Sequence, residues 1–188
     1  MALSEASLRI NSGRFRGRQV GVPAGIRPTS GRVRSAVMNI WQIPITGATF
    51  LDLFAGSGAV GLEALSRGAE RVVFVEDDPL VLRNLETVVG EFSANAISIV
   101  AAHLPEQIQR LDRAPVLPFD LVFADPPYDF GDYDDLISAV APYLTPNGEV
   151  AIEHRSDLDL PHECGAFSKR DCRNYGDSAI TRYIQRFE

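Results

Sequence analysis

Cysteine and histidine are both scarce in this chain. It holds two cysteines, Cys164 and Cys172, and three scattered histidines. Their spacing forms neither a CxxC pair nor a zinc-ligand pattern, so no metal and no disulfide framework is expected, and the thiols fit a reducing, cytoplasmic setting. Long apolar runs are missing as well. None reaches the ~18 residues of a membrane-crossing helix, so no membrane partner is expected. The amino terminus lacks the short apolar core of an export signal. Internal repeats and low-complexity segments are absent, which excludes solenoids and disordered tracts.

What is present is 188 residues, 45% hydrophobic, enough for one α/β domain with a full core. The net charge of −7 taken alone disfavours a nucleic-acid partner. Its distribution reverses that. Residues 1–34 hold Arg9, Arg14, Arg16, Arg18, Arg27, Arg32 and Arg34 against one acid, Glu5, a balance of +6 that leaves −13 for the remainder. A basic docking surface on an acidic body has this asymmetry. The alternatives are a solvated arm or an organelle transit peptide, and the ordered-structure signals in the same segment argue against the second.

Leu8-Arg-Ile10 and Phe15-Arg-Gly-Arg-Gln-Val20 flank the turn tripeptide Asn11-Ser-Gly13 and predict a β-hairpin. In it Arg14, Arg16 and Arg18 alternate with Phe15, Gly17 and Gln19. A period of two sends those three guanidiniums to one face of a strand, where they can track a phosphate backbone. A helix follows, capped by Thr29 or Ser30 and striped by Val33, Val37, Ile40 and Trp41, with Trp41 and Met38 expected in the core. Pro44 and Gly47 end it. Residues 1–46 thus form a basic hairpin-and-helix unit for RNA docking, and 47–188 the main domain.

That domain opens on a strand over Ala48–Phe54, then the glycine turn Gly56-x-Gly58-x-x-Gly61, then a helix closed by Gly68. Alone, such a turn suggests a dinucleotide. Asp52, four positions before the first glycine, argues otherwise, because its carboxylate repels a pyrophosphate and holds a cationic ligand. Arg71–Glu76 is a strand buried on both faces, and Glu76, twenty residues after Gly56, stands where a ribose diol is bound. Asp78 before Pro79 caps the next helix, Leu80–Phe92. Strand Ile97–Ala101 leads to His103, where an adenine-contacting side chain is expected, and a short helix over Leu104–Leu111 follows.

Strand Phe119–Ala124 opens onto Asp125-Pro-Pro-Tyr128. Then come a helix over Asp132–Leu144, a turn at Pro146-Asn-Gly148, a strand over Glu149–Glu153, and two strand-like runs about Asn174–Ser178 that predict an antiparallel pair. The fold class is α/β: a doubly wound, mostly parallel, Rossmann-like sheet with an antiparallel C-terminal hairpin and a small N-terminal hairpin.

Every residue singled out in the main domain falls at the carboxyl end of a strand, where open α/β sheets bind ligands. The charges there are acidic, and the loop has no Lys or Arg to meet a pyrophosphate. S-adenosylmethionine, with an ammonium, a sulfonium and a ribose diol against one carboxylate, fits those charges. Its contacts are expected from Asp52, Phe54, Ala55, Gly56, Ser57, Gly58, Glu76, Asp77 and His103. In Asp125-Pro126-Pro127-Tyr128 the two prolines stiffen the loop. Asp125 and a carbonyl near Pro126 can both accept from an exocyclic amine, which turns the nitrogen lone pair toward a methyl donor. Tyr128 offers a ring on which a flipped base can stack.

Together these residues resemble the class I S-adenosylmethionine-dependent methyltransferases that act on amino groups, and more closely the RsmD-type guanine-N2 methyltransferases, which have a seven-stranded sheet. The resemblance runs over nearly the whole chain. It includes Arg9-Ile10…Gly13…Arg16-Gly17-Arg18, Arg27-Pro-Thr-Ser-Gly-Arg-Val-Arg34, Leu51 to Gly68, Phe74-Val-Glu76, Asp125-Pro-Pro-Tyr128 and Tyr175-Gly-Asp177. It implies methyl transfer to N2 of one guanine in 16S ribosomal RNA, in an assembling small ribosomal subunit. Two departures stand out. Gly31 replaces the usual Asp, and His103 replaces the Asp or Asn that meets the adenine amino group. The competing readings are a DNA adenine-N6 or cytosine-N4 methyltransferase, and an inactive RNA-binding assembly factor. A dehydrogenase is the weakest reading, for the reason of charge.

Overall fold

A computed structural model of the chain describes residues 6–23, 25, 29–92 and 94–186. In chain order its elements are β1 (Ala6–Arg9), β2 (Gln19–Val22), α1 (Gly31–Ile40), β3 (Thr49–Leu53), α2 (Ala59–Ser66), β4 (Arg71–Glu76) and α3 (Pro79–Gly90). They continue with β5 (Ile97–Ala101), β6 (Phe119–Ala124), α4 (Tyr133–Val140), β7 (Leu144–Arg155), β8 (Glu163–Cys164), β9 (Phe167–Tyr175) and β10 (Ser178–Gln185). The main sheet has the order β5-β4-β3-β6-β7-β10-β9-β8. The first five strands are parallel, and β10 runs antiparallel to both β7 and β9. The seven expected strands are there, and the two-residue β8 adds a short eighth at the edge, pairing with β9.

The largely apolar runs of β3, β4 and β6, interrupted by Asp52 in β3 and Asp120 in β6, follow from helices on both faces of the sheet. Alternate residues feed two separate cores. Phe50, Val72, Phe74, Leu121 and Phe123 pack under α1, α2 and α3, whereas Leu51, Leu53, Val73, Val75 and Val122 pack under α4. The strand order reverses between β3 and β6, so the carboxyl ends of these two strands diverge and leave a crevice there.

The N-terminal segment is part of the first core, through Ile10, Val20, Val33, Val37 and Trp41. Ser30 caps α1, its hydroxyl accepting from the Val33 amide at 3.2 Å. Trp41 and Met38 are fully buried, and the Trp41 indole donates to Glu149 Oε2 at 2.9 Å.

The hairpin exists, but its arginines are not on a strand. β1 and β2 pair only from Ala6↔Val22 to Arg9↔Gln19, and residues 10–18 form the connecting turns. The reason is a contact fifty residues away that no local pattern encodes. The turn's amides are taken by α2: Asn11 and Ser12 donate to the buried Glu63 carboxylate, Arg14 to the Ser66 carbonyl, and Phe15 to the Ser66 hydroxyl. Arg14 and Arg18 lie over the Phe15 ring at 4.6 and 5.5 Å, and Arg18 also over Phe92 at 4.4 Å.

Three smaller expectations shift. Residues 104–111 give a 3-10 turn at Ile108–Arg113 rather than a helix from Leu104. α4 stops at Val140 because Pro142, with no N–H, cannot extend the ladder, and a 3-10 turn takes over. Pro146-Asn-Gly148 is a bulge inside β7: pairing jumps from Phe119↔Leu144 to Leu121↔Glu149, two steps on β6 against five on β7.

Arg34 is buried at 3% exposure, in contrast to the docking role expected of it. Its Nη2 donates to the Arg9 carbonyl at 3.2 Å, while Nε and Nη1 have no hydrogen-bond partner among the described residues. Burial lowers its pKa against the opposing pull of Glu63. A Cβ on Gly31 would stand 3.9 Å from that Nη2. An Asp at position 31 would therefore bring a carboxylate toward this guanidinium in the first turn of α1. Gly31→Asp is expected to stabilise the protein by about 1–2 kcal/mol, from the ion pair and the helix dipole. Thermal unfolding should show a Tm rise of about 2–8 °C; an unchanged Tm would show that the carboxylate does not reach Arg34.

Candidate active site

The crevice between β3 and β6 is a cavity of about 830 Å³. It is walled by the glycine turn, the ends of β4 and β6, Thr29, Ser30 and Arg32 from the N-terminal segment, and the β9–β10 turn Tyr175–Ser178. Seven carboxylates line it (Asp52, Glu76, Asp77, Asp78, Asp125, Glu153 and Asp177) against one guanidinium, Arg32, among the described residues. Walls of low dielectric focus that negative field on whatever enters.

The glycine turn is built to start α2 without a side-chain cap of its own. Gly58, the N-cap residue, sits at φ 73° and offers no side-chain bond. Asp52 supplies the missing acceptor from β3, its Oδ2 receiving the Gly61 amide at 2.8 Å. Asp52 is 2% exposed. Burial pushes its carboxyl well above the ordinary range; the Gly61 bond pulls the other way, and the charges of Asp125 and Glu76 raise it further. Phe54 is the one non-glycine residue at positive φ, 57°, among the described residues. That outlier at the cavity wall places local strain at the site.

Glu76 ties the two strand ends together. Its Oε2 accepts from Gly56 N at 2.9 Å, and its Oε1 from Asp77 N and Asp78 N at 2.9 and 3.1 Å. A carboxylate has about four acceptor positions, so about one remains for a ligand hydroxyl. The reading in which it accepts from both ribose hydroxyls therefore has to share that carboxylate with three amides. Asp78 caps α3 as expected, accepting from Leu80 N and Val81 N.

Asp125 follows Ala124, the last residue of β6, and its amide reaches the Leu53 carbonyl at 3.4 Å. The Thr29 hydroxyl donates to Asp125 Oδ2 at 2.6 Å. Pro126 is buried, Pro127 exposed, and Tyr128 is 53% exposed on the cavity rim. Behind the loop, Phe54, Phe130 and Tyr133 form edge-to-face pairs, and burial, then the Asp125 charge, raises the Tyr133 phenol.

Asp125-Pro-Pro-Tyr128 thus opens on the same cavity as the glycine turn. The family model described as conserved hypothetical protein 95 matches residues 8–184. The chain belongs to that family. Ribosomal RNA small subunit methyltransferase D of Escherichia coli K12 is 37% identical over 159 residues, 82% of this chain and 78% of that protein. The Haemophilus influenzae protein of the same name is 34% identical over 166 residues, 84% and 83% of the two chains. The solved structure of yhhF from Escherichia coli matches with a TM-score of 0.80 at 30% identity, over 97% of this chain and 100% of that one. The RsmD-type resemblance and the Rossmann-like fold read from the motifs are both shown.

In this family member the cavity brings together Arg32, Asp52, Phe54, Ala55, Gly56, Ser57, Glu76, Asp77, Asp125, Pro126, Pro127 and Tyr128. Gly58 lies just behind the wall as the N-cap of α2. His103 is elsewhere, on an adjoining cavity of about 280 Å³ that shares Phe54, Glu76, Asp77 and Pro127 with the first. Its ring is 62% exposed, with Nδ1 2.5 Å from Asp77 Oδ2. The hydrogen bond to Asp77 and then the charge of Asp77 raise the His103 pKa. Nδ1 is therefore committed, and Nε2, itself 3.8 Å from Glu106 Oε2, is the ring nitrogen that remains to meet an adenine.

Arg9, Arg14, Arg16 and Arg18 are exposed but do not line the cavity. The turn carrying the last three binds the carboxyl end of α2, whose eight residues put it about 12 Å from the glycine turn. Arg27 lies outside the described residues. Sequence reasoning missed Thr29 as a site residue and passed over Glu153 and Ser178, because nothing local marks them; Tyr175-Gly-Asp177 entered only through the family resemblance.

Proposed function

We propose that this protein is a cytoplasmic enzyme that transfers a methyl group from S-adenosylmethionine to the exocyclic N2 amine of a guanine in 16S ribosomal RNA, within an assembling small subunit. The carrying observation is Asp125-Pro-Pro-Tyr128 at the end of β6, facing the same acid-lined cavity as the glycine turn. Two relatives named as ribosomal RNA small subunit methyltransferases support the RNA target. The cofactor fits on charge: among the described residues, seven carboxylates against one arginine suit a ligand of net positive charge and oppose a pyrophosphate.

When bound, S-adenosylmethionine supplies an electrophilic methyl group on a sulfonium. The residues of the chain do the rest. Asp52, Gly56, Ser57 and Gly58 shape the amino-acid end of the site, and Glu76 receives a ribose hydroxyl in its remaining acceptor position. Phe54, Asp77 and His103 border the adenine end. Asp125 and the Pro126 carbonyl accept from the two amine hydrogens, which aims the nitrogen lone pair, and the Asp125 carboxylate is placed to take up the proton that methylation releases. Tyr128 stacks on the flipped base, worth about 1–3 kcal/mol.

Calorimetry with S-adenosylmethionine and with NAD tests the cofactor: heat is expected from the first and none from the second. Burial raises the free carboxyl of Asp52, so a cationic ligand favours its ionised form. Affinity should therefore increase as pH rises through and above the ordinary carboxylate range, with buffer-dependent heat from the released proton. A dissociation constant that does not change with pH would contradict a charge role for Asp52.

For the RNA, Arg14, Arg16 and Arg18 hold phosphates away from the acidic cavity. Replacing all three with Ala should flatten the salt dependence of RNA binding by about 0.7–0.9 log unit per lost contact. An unchanged slope would return the turn to a solvated surface.

A further inference from the structure

We infer that Thr29 is a positioning residue for methyl transfer, its hydroxyl setting the direction of the Asp125 carboxylate. The inference rests on the methyltransferase reading above. Thr29 Oγ1 donates to Asp125 Oδ2 at 2.6 Å across 96 residues of sequence, and both side chains line the cavity.

The need for such a holder follows from the loop's own chemistry. Pro126 and Pro127 fix the main chain after Asp125, but they place no restraint on the Asp125 side-chain torsions. A carboxylate that must accept from an amine in one direction requires an outside donor. Thr29 is well placed to be one. Its χ1 is stiff because it is β-branched. The next residue, Ser30, is locked at φ −61°, ψ 149° by its own capping bond to Val33 N. α1 in turn is anchored by Val33, Val37 and Trp41, all buried. The hydroxyl is therefore held by a rigid helix start, and a hydrogen bond to an ionised carboxylate is among the stronger ones. Ser30 cannot substitute for it, since its oxygen already serves the helix.

One consequence concerns the whole N-terminal segment. The N-terminal segment that carries Arg14, Arg16 and Arg18 on one turn also carries, at the start of α1, the group that aims the catalytic carboxylate.

The test compares Thr29→Val, which keeps the shape and loses the hydroxyl, with Thr29→Ser, which keeps the hydroxyl. Thr29→Val should lower kcat by about 10- to 100-fold, the scale of a small misplacement of a reacting group. KM for RNA and the dissociation constant for S-adenosylmethionine should stay within about threefold, as for an interaction realised in the transition state. Thr29→Ser should recover to within about threefold of wild-type kcat. If Thr29→Val does not fold, Thr29→Ala takes its place in the comparison. A kcat near wild type without the hydroxyl, or a Ser variant no better than the Val variant, overturns the assignment. Wild-type protein that methylates no RNA would overturn the methyltransferase reading itself, which is a different result from an active enzyme indifferent to Thr29.

Discussion

Asp125→Asn is expected to lower methyl transfer by about a thousandfold or more while leaving S-adenosylmethionine affinity within about threefold. The substitution keeps the size of the side chain and removes one acceptor, replacing it with an amide N–H₂. That group faces either the Thr29 hydroxyl, which now donates to Asp125 at 2.6 Å, or the incoming amine, and it can satisfy neither as the carboxylate did. The proposed cofactor contacts lie on other strand ends, Asp52 on β3 and Glu76 on β4, so binding should survive. Single-turnover rates beside calorimetric affinity separate the two effects. Near-normal turnover would remove Asp125 from the mechanism; lost affinity would make it a cofactor ligand.

Gly61→Ala should cost stability and cofactor binding together. A Cβ there would fall 2.4 Å from Phe74 Cε1, 2.8 Å from its Cζ and 2.8 Å from Val72 Cγ1. All three belong to fully buried side chains of β4, which has no room to yield. Relieving the overlap means lifting α2 from the sheet, at about 2–3 kcal/mol and a Tm loss of about 4–12 °C. The same displacement pulls the Gly61 amide from Asp52, now at 2.8 Å, and shifts the whole turn at the cavity wall. Thermal unfolding and calorimetry on the variant should therefore both move. A Tm within about 1 °C of wild type would mean that the helix–sheet contact tolerates a methyl group.

The strands that build the cavity were legible because helices cover both faces of the sheet: Arg71–Glu76 and Phe119–Ala124 coincide with β4 and β6. Caps were legible too, since Ser30 and Asp78 act on amides two or three residues ahead. What stayed hidden depends on partners far along the chain. The turn at Arg14–Arg18 takes its shape from Glu63 and Ser66, so the strand periodicity does not hold there. Arg34 reads as one more docking arginine, yet the packing of α1 buries it. Asp52 was identified by its charge, but its bond to Gly61 also makes it the acceptor that Gly58 cannot provide. Thr29 looked like a cap; only the fold brings it to Asp125.

The most direct measurement is to incubate the protein with labelled S-adenosylmethionine and 16S RNA or small subunits from a strain lacking the enzyme, then map the product by mass. A single methyl group on N2 of one guanine, absent with Asp125→Asn, is the predicted result. No label, or label on adenine N6 or cytosine N4, would contradict it.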